Sequence, residues 1–262
     1  NQSGWTELEV RVGFAADMAS RNAERTKAAA KDKTRTDIFP SDDFPETSRD
    51  YYDDTSKTLF DATILACHQL SDAQINLLEL TSEVETLPTH YVGLDRTLFY
   101  PEGGGQLGDQ GEIGKSRVLD TRIEGGVIFH LTDSEVPLGK VSGEVSWERR
   151  RQLMDHHTAV HIVGGSSREL LGPHIWQAGS SKGFRYARID LTHHSRLSRR
   201  ELDMIEDHAN SIIEANTPIE KIVMPRAAAD EQFGFEIYQG GPPNQDEIRV
   251  IKIGDHDIQA CG

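Results

Sequence analysis

His156-His157-Thr158-Ala159-Val160-His161 lies inside the apolar-periodic run Trp147 to Leu171, and the reading of this run organises the rest of the chain. The run stops at Gly172-Pro173, where a glycine adopts the left-handed cap and a proline cannot continue the turn, so a helix is predicted over 147–171. On that helix His157 and His161 project from one face, one turn apart, close enough to share a metal ion. Two histidines are half of a zinc ligand set, and with eleven in the chain chance spacing accounts for an isolated pair more readily than a metal does. The metalloprotease pattern is not met, because Thr158 stands where its general-base glutamate is required.

Downstream the texture is α/β. Ile175 to Ser180 and Phe184 to Leu191 read as a hairpin across Ser181-Lys182-Gly183. Ser198 with Glu201 forms a capping box, and Leu202, Ile205, Ala209, Ile212 and Ile213 carry helical periodicity, which predicts a helix over 198–216. Ile219 to Met224 reads as a strand and Ala227 to Phe233 as a short helix. Ile248 to Ile253 and Asp257 to Ala260 then close a small sheet with helices on one face. The last strand runs into Cys261, and a thiolate there would meet the two-histidine helix if that helix packs across the sheet, which would give three ligands suited to zinc.

Upstream, between Leu59 and Val145, short runs punctuated by Gly, Asp, Ser and Pro predict strands at Phe60–Leu65, Ile75–Leu80, Thr89–Leu94, Val118–Ile123 and Gly126–Leu131, a spacing that suggests a small antiparallel β-barrel. Within it lies Tyr100-Pro101-Glu102-Gly103-Gly104-Gly105-Gln106-Leu107-Gly108-Asp109-Gln110-Gly111, with five glycines in nine positions. Glycine opens backbone conformations closed to other residues and lets a ligand or another chain approach closely. The Gly-Lys-Ser/Thr ending of a phosphate-binding P-loop is missing. Residues 1–56 are polar, with an Ala/Lys/Arg-rich stretch from Ala15 to Lys33 that suits one exposed helix and a Pro- and Asp-containing stretch, Thr36 to Thr55, that reads as a linker. The expected organisation is therefore a polar helical segment and linker over 1–56, a β-barrel over 57–146 and an α/β domain over 147–262, α+β in class.

Composition narrows the function. A formal charge of −15 argues against a broad nucleic-acid-binding surface, since phosphate neutralisation needs clustered Lys and Arg, and leaves room only for a local contact. The two cysteines, Cys67 and Cys261, imply no disulfide framework, and Cys67 reads as a core residue. No apolar run approaches a membrane span and the first residues lack a signal-peptide pattern, which points to the cytosol and to no membrane partner.

Taken together, Asp95-Arg96-Thr97-Leu98-Phe99-Tyr100-Pro101-Glu102-Gly103-Gly104-Gly105-Gln106, His157-Thr158-Ala159-Val160-His161, Trp176-Gln177-Ala178-Gly179-Ser180, Arg188-Ile189-Asp190 and Cys261-Gly262 resemble the editing region of alanyl-tRNA synthetases in their archaeal form. Freestanding alanyl-tRNA editing proteins share these motifs. The resemblance covers about residues 57–262. It implies hydrolysis of the ester joining serine or glycine to the 3′ end of tRNA(Ala), within a protein that ligates alanine to tRNA(Ala) with ATP. It also implies a zinc site built from His157, His161 and Cys261. The family's closing motif is Cys-Gly-Gly-Thr-His, so the fourth ligand is expected three residues beyond Gly262, and the aminoacylation core with its ATP site before Asn1.

The same resemblance assigns Gly103, Gly104, Gly105 and Gln106 to a substrate-binding loop facing the zinc-bearing core. Gln177 is the candidate for orienting the ester or a water, and Arg188 for holding phosphate or ribose, with a surface pair to Asp190 as its alternative. Thr97 is the candidate for reading serine's hydroxyl, with a plain strand residue as its alternative. The acceptor end of tRNA(Ala) is the implied partner. Two roles for zinc stay open: activation of water or the ester carbonyl, and anchoring of the substrate amine in an otherwise closed site. His156, His193 and His194 read as exposed or capping rather than acid–base groups. A freestanding editing protein and a non-catalytic tRNA-binding module are the competing readings; the 56 residues before the barrel weigh against the first, and the persistence of the glycine-rich loop, the histidine pair, Gln177 and Cys261 against the second.

Overall fold

The computed structural model describes residues 38–239 and 245–261; the basic stretch Ala15 to Lys33 lies outside them. The segment from Phe39 onward is packed, where the sequence suggests a linker. Phe39 stacks on Phe129 with ring centroids 4.6 Å apart, Phe44 meets the same ring edge-on, and Tyr51 is buried. Three aromatic side chains carry too much apolar area to leave in water, and they seat this segment on the strands downstream. Strand β1 (Ser48–Arg49) runs parallel to β4 (Arg96–Thr97).

β2 (Leu59–Gln69), β3 (His90–Leu94), β5 (Gly111–Ile113), β6 (Ser116–Glu124), β7 (Val127–Thr132) and β8 (Gly139–Val145) pair antiparallel in the order β2-β3-β7-β6-β5-β8. The last returns to the first through the register Leu59↔Glu144 to Ile64↔Gly139, so the ladder closes into a barrel. Alternation along β2 puts Phe60, Ala62 and Ile64 inside, where they join Val92, Leu94, Leu98, Phe99, Ile113, Val118 and Val145 in the core. Cys67 is half-buried and packs against this cluster.

One expected strand is a helix. The first half of Ile75 to Leu80 belongs to α1 (Asp72–Leu77) and the rest to the turn that follows. Ser71 and Gln74 form a reciprocal capping box at its start, and local side-chain to backbone bonds of this kind settle a short ambiguous apolar run in favour of a turn of helix. Leu78, just past its end, supplies the buried contact.

α2 (Trp147–Leu171) has the predicted limits and ends at Gly172, whose φ is 116°. It is flanked by the antiparallel hairpin β9 (Gln177–Lys182) and β10 (Ala187–Leu191), by α3 (Arg199–Glu214) and, across the sequence, by the last strand. The Ser198–Glu201 capping box starts α3 as expected. β11 (Ile219–Pro225), α4 (Arg226–Phe233), β12 (Glu247–Ile253) and β13 (Asp257–Ala260) follow, with sheet order β11-β12-β13. The second half thus holds two small sheets rather than one. None of the described helices is long and apolar enough to cross a membrane.

Two arginines at the start of α2 bind it to the barrel. Buried Arg150 grips the buried Asp109 carboxylate, with Nε 2.9 Å from Oδ2, and its Nη1 donates to the Thr55 carbonyl at 3.1 Å. Arg149 donates from Nε to the Gly108 carbonyl at 3.1 Å and from Nη1 to Glu83 at 2.9 Å. The glycine-rich loop between these anchors is therefore pinned against the helix that carries the histidine pair.

Candidate metal centre and adjoining cavities

α2 presents His157 and His161 on one face with stacked rings, centroids 5.2 Å apart. β13 delivers Cys261 to them: its Sγ lies 3.2 Å from His157 Nε2. The three ligand atoms all lie within 4.8 Å of one another, which a small contraction brings to the separations around a tetrahedral zinc at about 2.0–2.3 Å from each donor. The outer contacts also suit a metal. His157 Nδ1 is 2.7 Å from Gln106 Oε1 and His161 Nδ1 is 3.1 Å from Asp257 Oδ2, so each ring donates its far N–H to a fixed acceptor and turns the other nitrogen inward. Burial alone would raise the Cys261 thiol, but its bonds to His157 and His161 outweigh that and bring its pKa to about 5. Burial likewise disfavours charge on His161, and its bonds to Asp257 and Cys261 lift it instead to about 9. The Cys261 thiolate and His161 are thus charge-coupled, and a metal ion entering here displaces the proton that His161 holds.

This group stands in the wall shared by two cavities. One, of about 330 Å³, is lined by Tyr52, Arg150, Met154, Lys221, Arg249 and Ile251. The other, of about 450 Å³, is lined by Gly103, Gly104, Gln177, Lys182, Gln259 and Tyr100. Both include His157, His161 and Cys261.

The glycine-rich loop reaches the site by adding itself to the edge of β9. Leu107 N donates to the Lys182 carbonyl at 3.0 Å and Lys182 N to the Gly105 carbonyl at 2.7 Å. Only glycine fits at 105: φ is +79° and an added Cβ would lie 2.3 Å from the Ser180 carbonyl oxygen. Lys182, buried, donates from Nζ to the Gly104 carbonyl at 2.6 Å and to Ser180 Oγ at 2.8 Å; burial pushes its pKa down. Gln177 donates to the same hydroxyl at 3.2 Å.

The structure thus brings together His157, His161, Cys261, Gly103, Gly104, Gln106 and Gln177, with Gly105 packed behind them. It leaves two candidates outside. Thr97 is fully buried in the barrel, 2.8 Å from His130 Nε2 and accepting from the Phe99 N–H at 3.0 Å; it lines neither cavity. Arg188 is exposed and pairs with Asp190 at 3.2 Å, the surface arrangement weighed as its alternative. His156 is held structurally, with Nδ1 2.7 Å from the Gly183 carbonyl and Nε2 2.9 Å from Gln152.

Asp257, Gln259, Lys182 and Arg249 were not singled out from the sequence. Asp257 and Gln259 were legible: counting back from Cys261 in twos along the predicted strand places them on the thiol's face. Lys182 and Arg249 carried no local signal.

Residues 6–149 match the model of the class II tRNA synthetases (A) family, and the chain belongs to that family. Among relatives, alanine–tRNA ligase of Natronomonas pharaonis is 38% identical over 97% of this chain, and that of Pyrobaculum neutrophilum 36% over 98%. The enzyme of Metallosphaera sedula is 43% identical over 66% of the chain. The chain spans about a quarter of the length of these relatives, 26%, 28% and 20% respectively. Similarity extends upstream of the 57–262 region on which the motifs fall.

Proposed function

We propose that this chain is the editing part of an alanine–tRNA ligase and hydrolyses the ester of serine or glycine mischarged onto tRNA(Ala). The observation that carries the reading is the convergence of His157, His161 and Cys261, from a helix and a strand about a hundred residues apart, on the wall between two cavities beside the glycine-rich loop. Cavities of this size suit an aminoacylated terminal nucleoside.

Selection needs such a second site. A synthetic pocket shaped for alanine cannot strongly exclude glycine and rejects an added hydroxyl only about a hundredfold. A site built to hydrogen-bond that hydroxyl rejects alanine, because its own polar groups are then left unpaired.

The donor set fits zinc, with a fourth ligand expected from a closing Cys-Gly-Gly-Thr-His motif. When bound, the ion supplies a fixed positive charge for the substrate's amine or carbonyl. Gln106 and Asp257 hold the two imidazoles in the ligating tautomer and orientation. Gln177, at the cavity wall, offers an amide to orient the ester or the attacking water. Lys182 fixes the Gly104 carbonyl and Ser180, and so the loop's distance from β9. Thr97 acts through the backbone it anchors, since its hydroxyl fixes the Phe99 N–H immediately before the loop. Arg188 forms only an exposed pair with Asp190; such pairs contribute little, so it is free to exchange Asp190 for a tRNA phosphate at the rim. In a chain of this acidity the nucleic-acid contact is local, the acceptor end rather than the body of the tRNA.

Serine-charged and alanine-charged tRNA(Ala) incubated with zinc and this chain, and with a version extended through the closing histidine, provide the test. Preferential loss of serine is expected, most strongly in the extended version. Equal loss from both tRNAs, or none with either protein, would refute the reading.

A further inference from the structure

Glu169 on α2, His208 on α3 and His256 in the turn between β12 and β13 bring one carboxylate and two imidazoles together, their ligand atoms all within 4.8 Å. We propose that these three residues form a second divalent-metal site, separate from the His157–His161–Cys261 group and suited to Zn2+, Co2+ or Ni2+. The ion staples the two helices to the turn of the terminal sheet.

The near atoms are arranged as ligands. His256 Nδ1 lies 2.7 Å from Glu169 Oε1 and His208 Nε2 lies 3.3 Å from Oε2 of the same carboxylate. The far nitrogen of each ring is engaged as ligating histidines require: His256 Nε2 is 3.0 Å from the Ile162 carbonyl and His208 Nδ1 is 3.1 Å from Ser166 Oγ. A carbonyl only accepts, so Nε2 of His256 carries a proton. Its Nδ1 then faces a carboxylate that also only accepts, and the gap is filled either by a second proton, making an ion pair, or by a cation bound to both. Two imidazoles and one carboxylate are a set that borderline divalent ions favour, with a coordination position left for water.

The ring of His256 is seated rather than loosely placed. Its side chain is 4% exposed, and it lies over Gly165, where an added Cβ would come within 2.7 Å of Nε2. Glu169, 45% exposed, leaves the site open to solvent for metal entry. The cluster of His174, His193 and His194 has comparable spacing but no carboxylate ligand, and His174 Nε2 bonds His193 Nδ1 directly at 2.9 Å.

The second site touches the support of the first. His256 precedes Asp257, the acceptor for His161, and Ile162, whose carbonyl takes His256 Nε2, follows His161. An ion at Glu169, His208 and His256 therefore holds α2 in register with the strand that delivers Cys261.

The test uses the full chain with the first group removed, H157A/C261A, titrated with Zn2+ against a chelator and with Co2+ by absorption. One ion per chain is expected, with cobalt bands lacking a thiolate charge-transfer component. E169Q and H208A, each with unchanged circular dichroism, should weaken this binding at least about tenfold. The same E169Q change in the otherwise unaltered chain should lower metal content by one equivalent while leaving thiolate–cobalt absorption in place. No ion retained by H157A/C261A, or affinity indifferent to E169Q and H208A, would show that the three side chains are an ion-paired cluster only. Neither outcome depends on whether the chain deacylates tRNA.

Discussion

Gly104 and Gly105 are neighbours with opposite demands. Both have positive φ, 56° and 79°, but an added Cβ at 104 meets nothing within 4 Å while one at 105 meets the Ser180 carbonyl oxygen at 2.3 Å. G104A is therefore expected to cost about 1 kcal/mol, the ordinary penalty of a left-handed alanine, and G105A about 2–4 kcal/mol, because the loop must also leave the edge of β9. Paired thermal melts compare the two; equal losses would mean that the loop is not docked on β9. A second residue-scale expectation concerns Thr97. His130 Nδ1 lies 3.1 Å from the Val92 carbonyl and so donates there. In the neutral ring Nε2 then accepts from the Thr97 hydroxyl, which itself accepts from the Phe99 N–H. T97V breaks both links and should lower stability by about 1–3 kcal/mol while relaxing the preference for seryl over alanyl ester. T97S should restore both. Denaturant midpoints beside deacylation rates test this, and lost stability with unchanged selectivity would assign Thr97 to the barrel alone.

At the scale of elements, α2 serves the barrel, the loop and the terminal sheet at once. Its apolar periodicity and glycine–proline stop marked its limits correctly because both are local properties. Which of its polar residues are buried was not legible: nothing local distinguishes Arg149 and Arg150, and only the fold supplies Glu83, Gly108 and Asp109 as their partners. R150M is expected to cost about 3–5 kcal/mol, since the buried Asp109 carboxylate loses its direct charge partner and keeps only the Tyr100 N–H as a bonded neighbour, and the double variant R150M/D109L should recover much of the loss. A chemical-denaturation cycle over the four proteins measures it; additive losses would contradict direct pairing. α1 shows the converse case. Its short apolar run fits strand and helix equally, and the Ser71–Gln74 box that decides between them is as local as the Ser198–Glu201 box that was recognised.

Across the whole molecule, acid stability should depend on the barrel interior. Burial lowers the His130 pKa to about 4 from 6.5, so between these values the unfolded chain holds the extra proton. Stability contributed by the neutral ring is thus complete above about pH 6.5 and is lost as pH falls toward 4, by up to about 3 kcal/mol. H130Q should be less stable than the parent at pH 7.5 yet show a shallower decline over that window; parallel stability–pH curves would exclude His130 as the source.

The sequence by itself determined the long helix, the hairpin, the second capped helix, the strands of the terminal sheet and the face-sharing of His157 and His161, because periodicity, caps and chain breakers act over a few residues. Its ordered motifs also pointed to the synthetase family to which the chain belongs. Tertiary structure decided what lies far apart in the chain: the return of β8 to β2, the aromatic anchoring of residues 39–52, and the supply of Gln106 and Asp257 to the two imidazoles. It also decided that Arg188 sits at the surface and Thr97 in the barrel. The physical reason is that a hydrogen bond or buried ion pair depends on the separation of two atoms in space, which the order of residues constrains only within one element.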